Sequence, residues 1–247
     1  MRLAAIADIH GNHLALKAVL DDIDRQNVDL TVNLGDHLSS PLEAARTADL
    51  LLASQMVSIR GNHDRWILEK TPEQMGASDR WAHDQLTDAH KEWLGTLPAT
   101  RWIDDRIFLC HGTPGSDTTY WLEKVRPYGV ITMSPIEEIE AAAEGIDCPL
   151  ILCAHTHIPR AVRLRDGRLV VNPGSVGCPG YDDDSPPIPH IMQAGTPDAS
   201  YAILEEVGGA WRVSFRQVPY DHMAMAEIAR ARGNAAWASA LSSGWIR

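Results

Sequence analysis

The chain has 247 residues, of which 45% are hydrophobic and 22% are charged; these ordinary globular proportions exclude a wholly disordered chain and a fibrous repeat. With 22 basic and 33 acidic residues the formal net charge is −11, which argues against a broad basic surface for a nucleic-acid backbone. A phosphorylated substrate stays compatible with this charge, because bound metal ions reverse the sign locally. We expect a single domain over residues 1–247.

The apolar segments and the cysteines do not predict a membrane protein or an exported one. Residues 1–6 are too short for a secretory signal, and no later stretch has the ~18 uninterrupted apolar residues of a membrane span. The four cysteines show no CxxC spacing. We therefore expect a reduced cytoplasmic protein, although the sequence leaves a disulfide open.

In the first sixty residues, short apolar runs alternate with helical patterns. Strands are predicted at residues 2–7, 30–34 and 56–59, with one helix after the first strand and another over residues 41–54. This β-α-β-α-β order predicts an α/β domain whose strands are largely parallel.

The rest of the chain departs from this regular order. Residues from about 65 to 100 are helical in pattern and rich in Trp and His, which predicts an insertion over the sheet. Further strands are expected at residues 106–110, 150–154 and 168–171, with a helix near 135–144. Residues from about 177 to 199 are dense in Pro, Gly and Asp and predict a long loop. Strands at 201–207 and 211–218 flank Gly208-Gly209 as a hairpin, and 221–241 is predicted helical.

Polar side chains follow five of the predicted strands, at the point where each strand ends. They are Asp8 and His10, Asp36, Asn62 and His63, His111, and His155 and His157. Because ligands bind at the carboxyl ends of strands in an open α/β sheet, we expect these side chains to converge.

The chemistry of this set predicts a transition-metal site. Carboxylates, neutral imidazoles and one amide oxygen suit Mn, Fe, Zn, Ni or Co better than Ca²⁺, which prefers oxygen ligands alone. The set exceeds what one ion requires. Two ions about 3.5–4 Å apart would share one carboxylate and bridge a water, which would be ionised near neutral pH and attack phosphorus in line.

The order DxH, GD, GNHD, H and HxH over residues 8–157 resembles the calcineurin-like metallophosphoesterases. Residues 172–177, NPGSVG, resemble a further element of their small bacterial and archaeal phosphodiesterase branch. The resemblance implies a β-sandwich of two mixed sheets flanked by helices in four α/β/β/α layers. This architecture replaces the single, largely parallel sheet predicted above from the order of the elements. Proteins that resemble this branch are often oligomeric, so the resemblance also implies a homo-oligomer as one possible state.

The resemblance also implies roles for individual residues. His63 would protonate the leaving oxygen or contact the phosphoryl group. Asp36 would bridge two metal ions. One ion would take Asp8, His10 and His157, and the other Asn62, His111 and His155.

Several of these residues also have purely structural interpretations. Asp8 would serve equally well as the cap of the following helix, and His63 as a partner of Asp64. Arg60 and Arg65 flank the GNHD motif and would bind a phosphate oxygen or form a surface salt bridge. Residues 172–177 would form a simple tight turn or offer backbone N–H groups to an anion.

The aromatic residues of the insertion and the remaining histidines are ambiguous. Trp66, Trp81, Trp93 and Trp102 would either stack an aryl group or a nucleobase, or pack the helices. Another set of histidines matches no motif position and is expected at the surface or behind the ligands: His13, His37, His83 and His90.

The chain departs from the related protein Ser/Thr phosphatases after Asp36. Their GDxVDRG motif is absent, since Asp36 is followed by His37-Leu38-Ser39-Ser40. Protein phosphatase activity is therefore in doubt, and so is the carboxylate that orients the acid histidine there. Ala154 also replaces the glycine usually found before HTH, which matters only if that position needs a positive φ.

We expect a metal-dependent phosphodiesterase that acts on a small phosphorylated substrate. A phosphomonoesterase or a nucleotide pyrophosphohydrolase on the same metals is the alternative. A catalytically silent scaffold of the same fold is a third possibility, which the filled motif positions and His63 disfavour.

Overall fold

A computed structural model describes residues 1–184 and 187–247 of the chain. The strands are β1 (Arg2–Ile6), β2 (Leu30–Asn33), β3 (Val57–Ser58), β4 (Arg101–Ile103), β5 (Ile107–Leu109), β6 (Glu123–Arg126), β7 (Val130–Met133), β8 (Leu150–Leu152), β9 (Arg160–Arg163), β10 (Leu169–Asn172), β11 (Gly180–Asp183), β12 (His190–Gln193), β13 (Ala199–Val207) and β14 (Ala210–Val218). The α-helices are α1 (His13–Ile23), α2 (Ala44–Leu52), α3 (Asn62–Glu69), α4 (Ala77–His83), α5 (Asp88–Thr96), α6 (Ile136–Ala142), α7 (His222–Ala231) and α8 (Ala235–Ser243).

Two mixed five-stranded sheets carry the fold, as the family resemblance implied. The first has the order β14-β13-β1-β2-β3, in which β1, β2 and β3 are parallel and β13 runs antiparallel to β1. The second has the order β4-β5-β8-β10-β9, with β5, β8 and β10 parallel and antiparallel strands at both edges. The parallel strands of each sheet therefore deliver their carboxyl ends to one side.

Alternating side chains of β1 show how the layers are built. Leu3 and Ala5 belong to the apolar core between the two sheets, whereas Ala4 and Ile6 pack on the side of α1 and α2. Both faces of the strand are buried, which explains its continuous apolar run. On the far side of the second sheet, Ile139 of α6 packs against Ile151 and Val170. The layers are therefore α/β/β/α.

Three parts of the chain differ from the sequence expectations. The segment predicted as a long loop contains the antiparallel pair β11–β12; short strands rich in Gly, Pro and Asp give no apolar alternation to recognise. Residues 185 and 186 of that segment lie outside the described residues. The C-terminal helix is in fact two, because Gly233 takes a φ of +76° and Asn234 caps α8. The strands β4, β6, β7 and β9 were not predicted either, because their sequences contain no clear strand pattern.

The segment predicted as a helical insertion contains α4, α5 and most of α3. Within the described part of the chain, no helix has the length and apolar character needed to cross a membrane.

Candidate metal centre

The candidate ligands lie on the turns that follow β1, β2, β5 and β8, and at the start of α3 after β3. Five of the turn residues have a left-handed backbone, with φ between 48° and 71°: Asp8, His10, Asp36, His155 and His157. Side chains disfavour this region by about 1–3 kcal/mol per residue, so the surrounding structure must hold them there. Such strain concentrates where the fold aims side chains at one point.

The structure brings these side chains into two adjoining groups. Ligand atoms of Asp8, His10 and His157 lie within 4.8 Å of one another, and so do those of Asp36, His111 and His155. In the first group His10 Nε2 lies 3.2 Å from His157 Nε2. In the second, His111 Nε2 lies 3.2 Å from Asp36 Oδ2.

Asp36 stands between the two groups. Its Oδ2 atom lies 3.9 Å from His10 Nε2 as well as 3.2 Å from His111 Nε2. On the opposite side, Asp8 Oδ1 lies 3.5 Å from His157 Nε2 and 3.9 Å from His111 Nε2. This spacing allows one carboxylate to serve both groups.

Backbone carbonyls fix the orientation of three imidazoles. His10 Nδ1 donates to the Ser39 carbonyl at 2.7 Å, and His157 Nδ1 donates to the Cys178 carbonyl at 2.8 Å. His111 Nδ1 donates to the Leu34 carbonyl at 2.8 Å. Because a carbonyl can only accept, each Nδ1 carries the proton and each Nε2 is left to ligate, the usual arrangement behind metal-bound histidines.

Several buried polar atoms at the centre lack a hydrogen-bond partner among the described residues. They are both carboxylate oxygens of Asp8, the amide oxygen of Asn62 and Nε2 of His111. Unpartnered buried atoms of this kind are costly unless a ligand satisfies them. All of them are oxygen or nitrogen donors and they surround one space, so the residues fit transition-metal ions.

The protonation of the histidines reflects this crowding. Burial, reinforced by the charge of His157, lowers the pKa of His10 to about 4. Burial and the charge of His111 lower the pKa of His155 to about 3. Burial also opposes the charged form of His111, but Asp36 and Asp8 outweigh it and raise the pKa of that histidine to about 9. In the absence of metal, a proton therefore neutralises part of the carboxylate charge.

Asp64 holds the turn that carries Asp36. Its carboxylate accepts hydrogen bonds from the backbone N–H groups of Asp36, His37 and Gly61 at 2.8, 3.0 and 2.9 Å. It also contacts His37 Nδ1 at 2.7 Å, which places His37 behind the ligands, as expected. Asp64 is thus a partner of His37. The interpretation of His63 as a structural partner of Asp64 is wrong.

His63 is instead paired with a carboxylate that the sequence did not single out. Its Nδ1 lies 2.7 Å from Asp79 Oδ1, on α4, and the same oxygen accepts from Ser39 Oγ at 2.6 Å. Burial lowers the pKa of His63, but Asp36 and Asp79 outweigh it and the pKa is raised above its ordinary value. The helical insertion therefore supplies the orienting carboxylate that the missing GDxVDRG motif had put in doubt. Asp79 follows His63 by 16 residues, and no local pattern marks it.

The turn at residues 172–177 holds the Asp8 turn. Ser175 Oγ donates to the Asp8 carbonyl at 2.7 Å, and the Gly177 amide donates to the same oxygen at 3.0 Å. A Cβ at position 177 would lie 1.8 Å from the Ile9 carbonyl oxygen, so only glycine fits. Since the Val176 amide is also bound to the Ala7 carbonyl, the structure favours the tight turn over an anion site. Ala154 does not have a positive φ, so the methyl group is tolerated.

The two arginines that flank the GNHD motif lie outside the cavity described below. Arg65 forms a bidentate pair with Asp117, with N···O distances of 2.7 and 2.9 Å. The backbone N–H of Arg60 donates to the Pro98 carbonyl. Other histidines outside the motifs contact carboxylates elsewhere, such as His90 with Asp49 at 3.0 Å.

A cavity of about 930 Å³ opens over the two groups. Among the tryptophans of the insertion, Trp66 lines this cavity, whereas Trp93 contacts His37 and Trp102 contacts Phe108. A second tryptophan in its wall, Trp237 of α8, was not predicted from the sequence. Its helix reaches the site through tertiary packing alone.

Comparisons with known proteins identify the family and the fold. The chain is 25% identical to a metallophosphoesterase from Sphaerobacter thermophilus, with a TM-score of 0.73 over 99% of both chains. A hypothetical protein from Pyrococcus horikoshii shares the fold with a TM-score of 0.74 at 20% identity, over 100% of this chain and 99% of that one. An uncharacterized protein from Methanocaldococcus jannaschii is 24% identical, over 89% of this chain and 88% of its own. The model of the calcineurin-like phosphoesterase superfamily domain matches residues 1–194, and the chain belongs to that family.

Proposed function

We propose that this phosphoesterase is a phosphodiesterase with a two-metal centre and that His63 is its general acid. Asp36 would contact both ions. One ion would be held by Asp8, His10 and His157, and the other by Asn62, His111 and His155. When bound, the ions supply positive charge for the phosphoryl oxygens and lower the pKa of water, so that hydroxide is available near neutral pH.

The charge of the cavity carries the preference for a diester. The described residues that line it include five carboxylates but no lysine or arginine: Asp36, Asp79, Asp182, Asp183 and Asp184. A phosphodiester has one negative charge, whereas a phosphomonoester has about 1.5–2 at neutral pH and a polyphosphate has more. Beyond the ions and His63, extra phosphate charge would find no lysine or arginine to pair with among the described residues of this lining. It would instead face aspartates that neither the ions nor His63 engage, such as Asp182 and Asp184.

The protein's own groups provide the proton for the leaving oxygen. Asp79 binds Nδ1 of His63 and leaves Nε2 to donate. The raised pKa favours the protonated imidazole, the state that a general acid needs. The His63 amide also donates to Asp36 Oδ1 at 2.9 Å, which fixes the acid next to the proposed bridging carboxylate.

The test is Mn²⁺-supported hydrolysis of bis(4-nitrophenyl) phosphate beside 4-nitrophenyl phosphate. We expect the diester to be preferred. With an alkyl diester, His63→Ala should keep its metal and lose about 10²–10⁴-fold in turnover. A monoester preference would instead favour the phosphomonoesterase. A protein that takes up no Mn²⁺, Zn²⁺ or Fe and hydrolyses neither ester would be a silent scaffold.

A further inference from the structure

Four aromatic rings that line the cavity contact one another in succession and form a row. The ring centroids of Trp66 and His63 are 4.8 Å apart, those of His63 and His10 are 5.6 Å apart, and those of His10 and Trp237 are 5.9 Å apart. Each contact is edge-on. Trp66 lies on α3 and Trp237 on α8, so the two ends of the row come from distant parts of the chain.

The middle of this row is the place for the reacting phosphoryl group. His63 donates its amide to one oxygen of Asp36, and His10 Nε2 lies 3.9 Å from the other. A phosphoryl group bound beside Asp36 therefore lies near His63 and His10, and each of these two rings contacts one tryptophan. A diester has two ester groups on phosphorus, so each tryptophan is available to a different one.

The position of His63 indicates which ester group of the substrate lies near which tryptophan. Because His63 gives its proton to the leaving oxygen, the leaving group must lie on the His63 side, next to Trp66. The group that stays on phosphorus then points past His10 towards Trp237. Lys70 Nζ lies 3.9 Å from the centroid of the Trp66 ring and covers one of its faces.

We propose that Trp237 is a specificity-determining residue whose ring binds a flat, uncharged group on the ester that stays on phosphorus. The preferred substrates are then diesters that carry an aryl or nucleobase-like ring on that side. This inference rests on the proposed phosphodiesterase activity. The ring supplies apolar area and edge or face contacts that an alkyl group cannot match.

Trp237 also packs, half-buried, against the small apolar cluster of α7 and α8. The variants must therefore separate packing from recognition. Trp237→Leu retains apolar bulk and removes the flat ring, whereas Trp237→Phe retains a flat ring. Trp102→Leu is the matched control, since Trp102 lies on β4 against Phe108 and 42% of it is exposed.

The experiment compares kcat/KM for bis(4-nitrophenyl) phosphate and methyl 4-nitrophenyl phosphate. The two diesters share a leaving group, and their intrinsic reactivity difference is the same for every variant. We expect Trp237→Leu to lower the bis(4-nitrophenyl)-to-methyl ratio about tenfold and Trp237→Phe to retain most of it. Trp66→Leu should slow both diesters without changing the ratio, and Trp102→Leu should change neither rate.

An unchanged ratio in Trp237→Leu, or an equal loss with both diesters, would overturn the role of Trp237 while leaving the phosphodiesterase intact. Failure of the wild-type, metal-loaded protein to hydrolyse either diester would instead overturn the proposed function.

Discussion

The contact between Asp79 and His63 gives the sharpest test of the acid. Asp79 is only 3% exposed, and its Oδ1 accepts from both His63 Nδ1 and Ser39 Oγ. Asp79→Asn keeps the shape of the side chain and removes its negative charge. We expect the fold and the metal content to be unchanged, because Asp79 belongs to neither ligand group.

The size of the effect follows from the lost charge, because the Asn amide oxygen can still accept a hydrogen bond from His63 Nδ1. A hydrogen bond to a charged group contributes about 1.5–3 kcal/mol, against about 0.5–1.5 kcal/mol for a neutral one. If the transition state loses this difference of about 1–1.5 kcal/mol, kcat falls roughly five- to tenfold, at 1.36 kcal/mol per factor of ten. The loss applies to an alkyl leaving group, which needs the proton. A 4-nitrophenyl leaving group departs as a stable anion and should lose much less.

The pH dependence has a definite sign. Activity requires protonated His63 and is lost as the pH rises through its pKa. Burial lowers the pKa of His63, and the charges of Asp36 and Asp79 raise it. Loss of the Asp79 charge in Asp79→Asn therefore lowers the pKa of His63. The alkaline limb of the plot of kcat against pH then moves to lower pH.

The assay measures kcat from pH 6 to 10 for an alkyl and a 4-nitrophenyl diester. Asp49→Asn is the matched control, because Asp49 forms an Asp–His pair with His90 at 3.0 Å on the helical side of the molecule. If Asp79→Asn slows both diesters equally with an unmoved alkaline limb, Asp79 does not act through His63.

Three further predictions concern the metal ions. Asp36→Ala should lose at least one ion per chain by elemental analysis, and two retained ions would contradict the bridging role. Gly61→Ala should also lose metal, because its Cβ would lie 2.2 Å from Asp36 Oδ1; Gly95→Ala, whose Cβ meets nothing within 4 Å, should not. Metal uptake at pH 7 should release protons, because the pKa of His111 is about 9 without metal and only the neutral imidazole binds a metal ion. For the same reason, the affinity for the metal should rise with pH. Isothermal titration calorimetry tests the proton release, because released protons are taken up by the buffer. A metal-binding enthalpy that is the same in buffers of different ionisation enthalpy would contradict it.

The sequence predicted those parts of the site that follow directly from strands. Asp8, Asp36, His111 and His155 come after apolar runs, and parallel pairing necessarily carries such positions to one side of each sheet. The local pattern therefore contains most of the information about their convergence.

Asp79 and Trp237 escaped prediction for a different reason. Asp79 is one of many acidic residues on helix surfaces until α4 packs against α3 and buries it beside Ser39. Trp237 resembles an ordinary packing residue of an apolar helix until α8 is placed over His10. Both depend on how helices dock, which neither periodicity nor spacing encodes.

The pairing of β1 with β13 has a consequence for the order in which the protein forms during synthesis. β1 leaves the ribosome well before β13, yet one of its edges is completed only by residues of β13 such as Ala202, opposite Ala5. At about 5–20 residues per second, roughly 10–40 s separate the two strands. Throughout that interval this edge of β1 lacks its partner strand, and unpaired strand edges are prone to aggregation. The Asp8 turn also awaits Ser175 and Gly177, so the backbone that positions Asp8 is completed only after these residues have been synthesised.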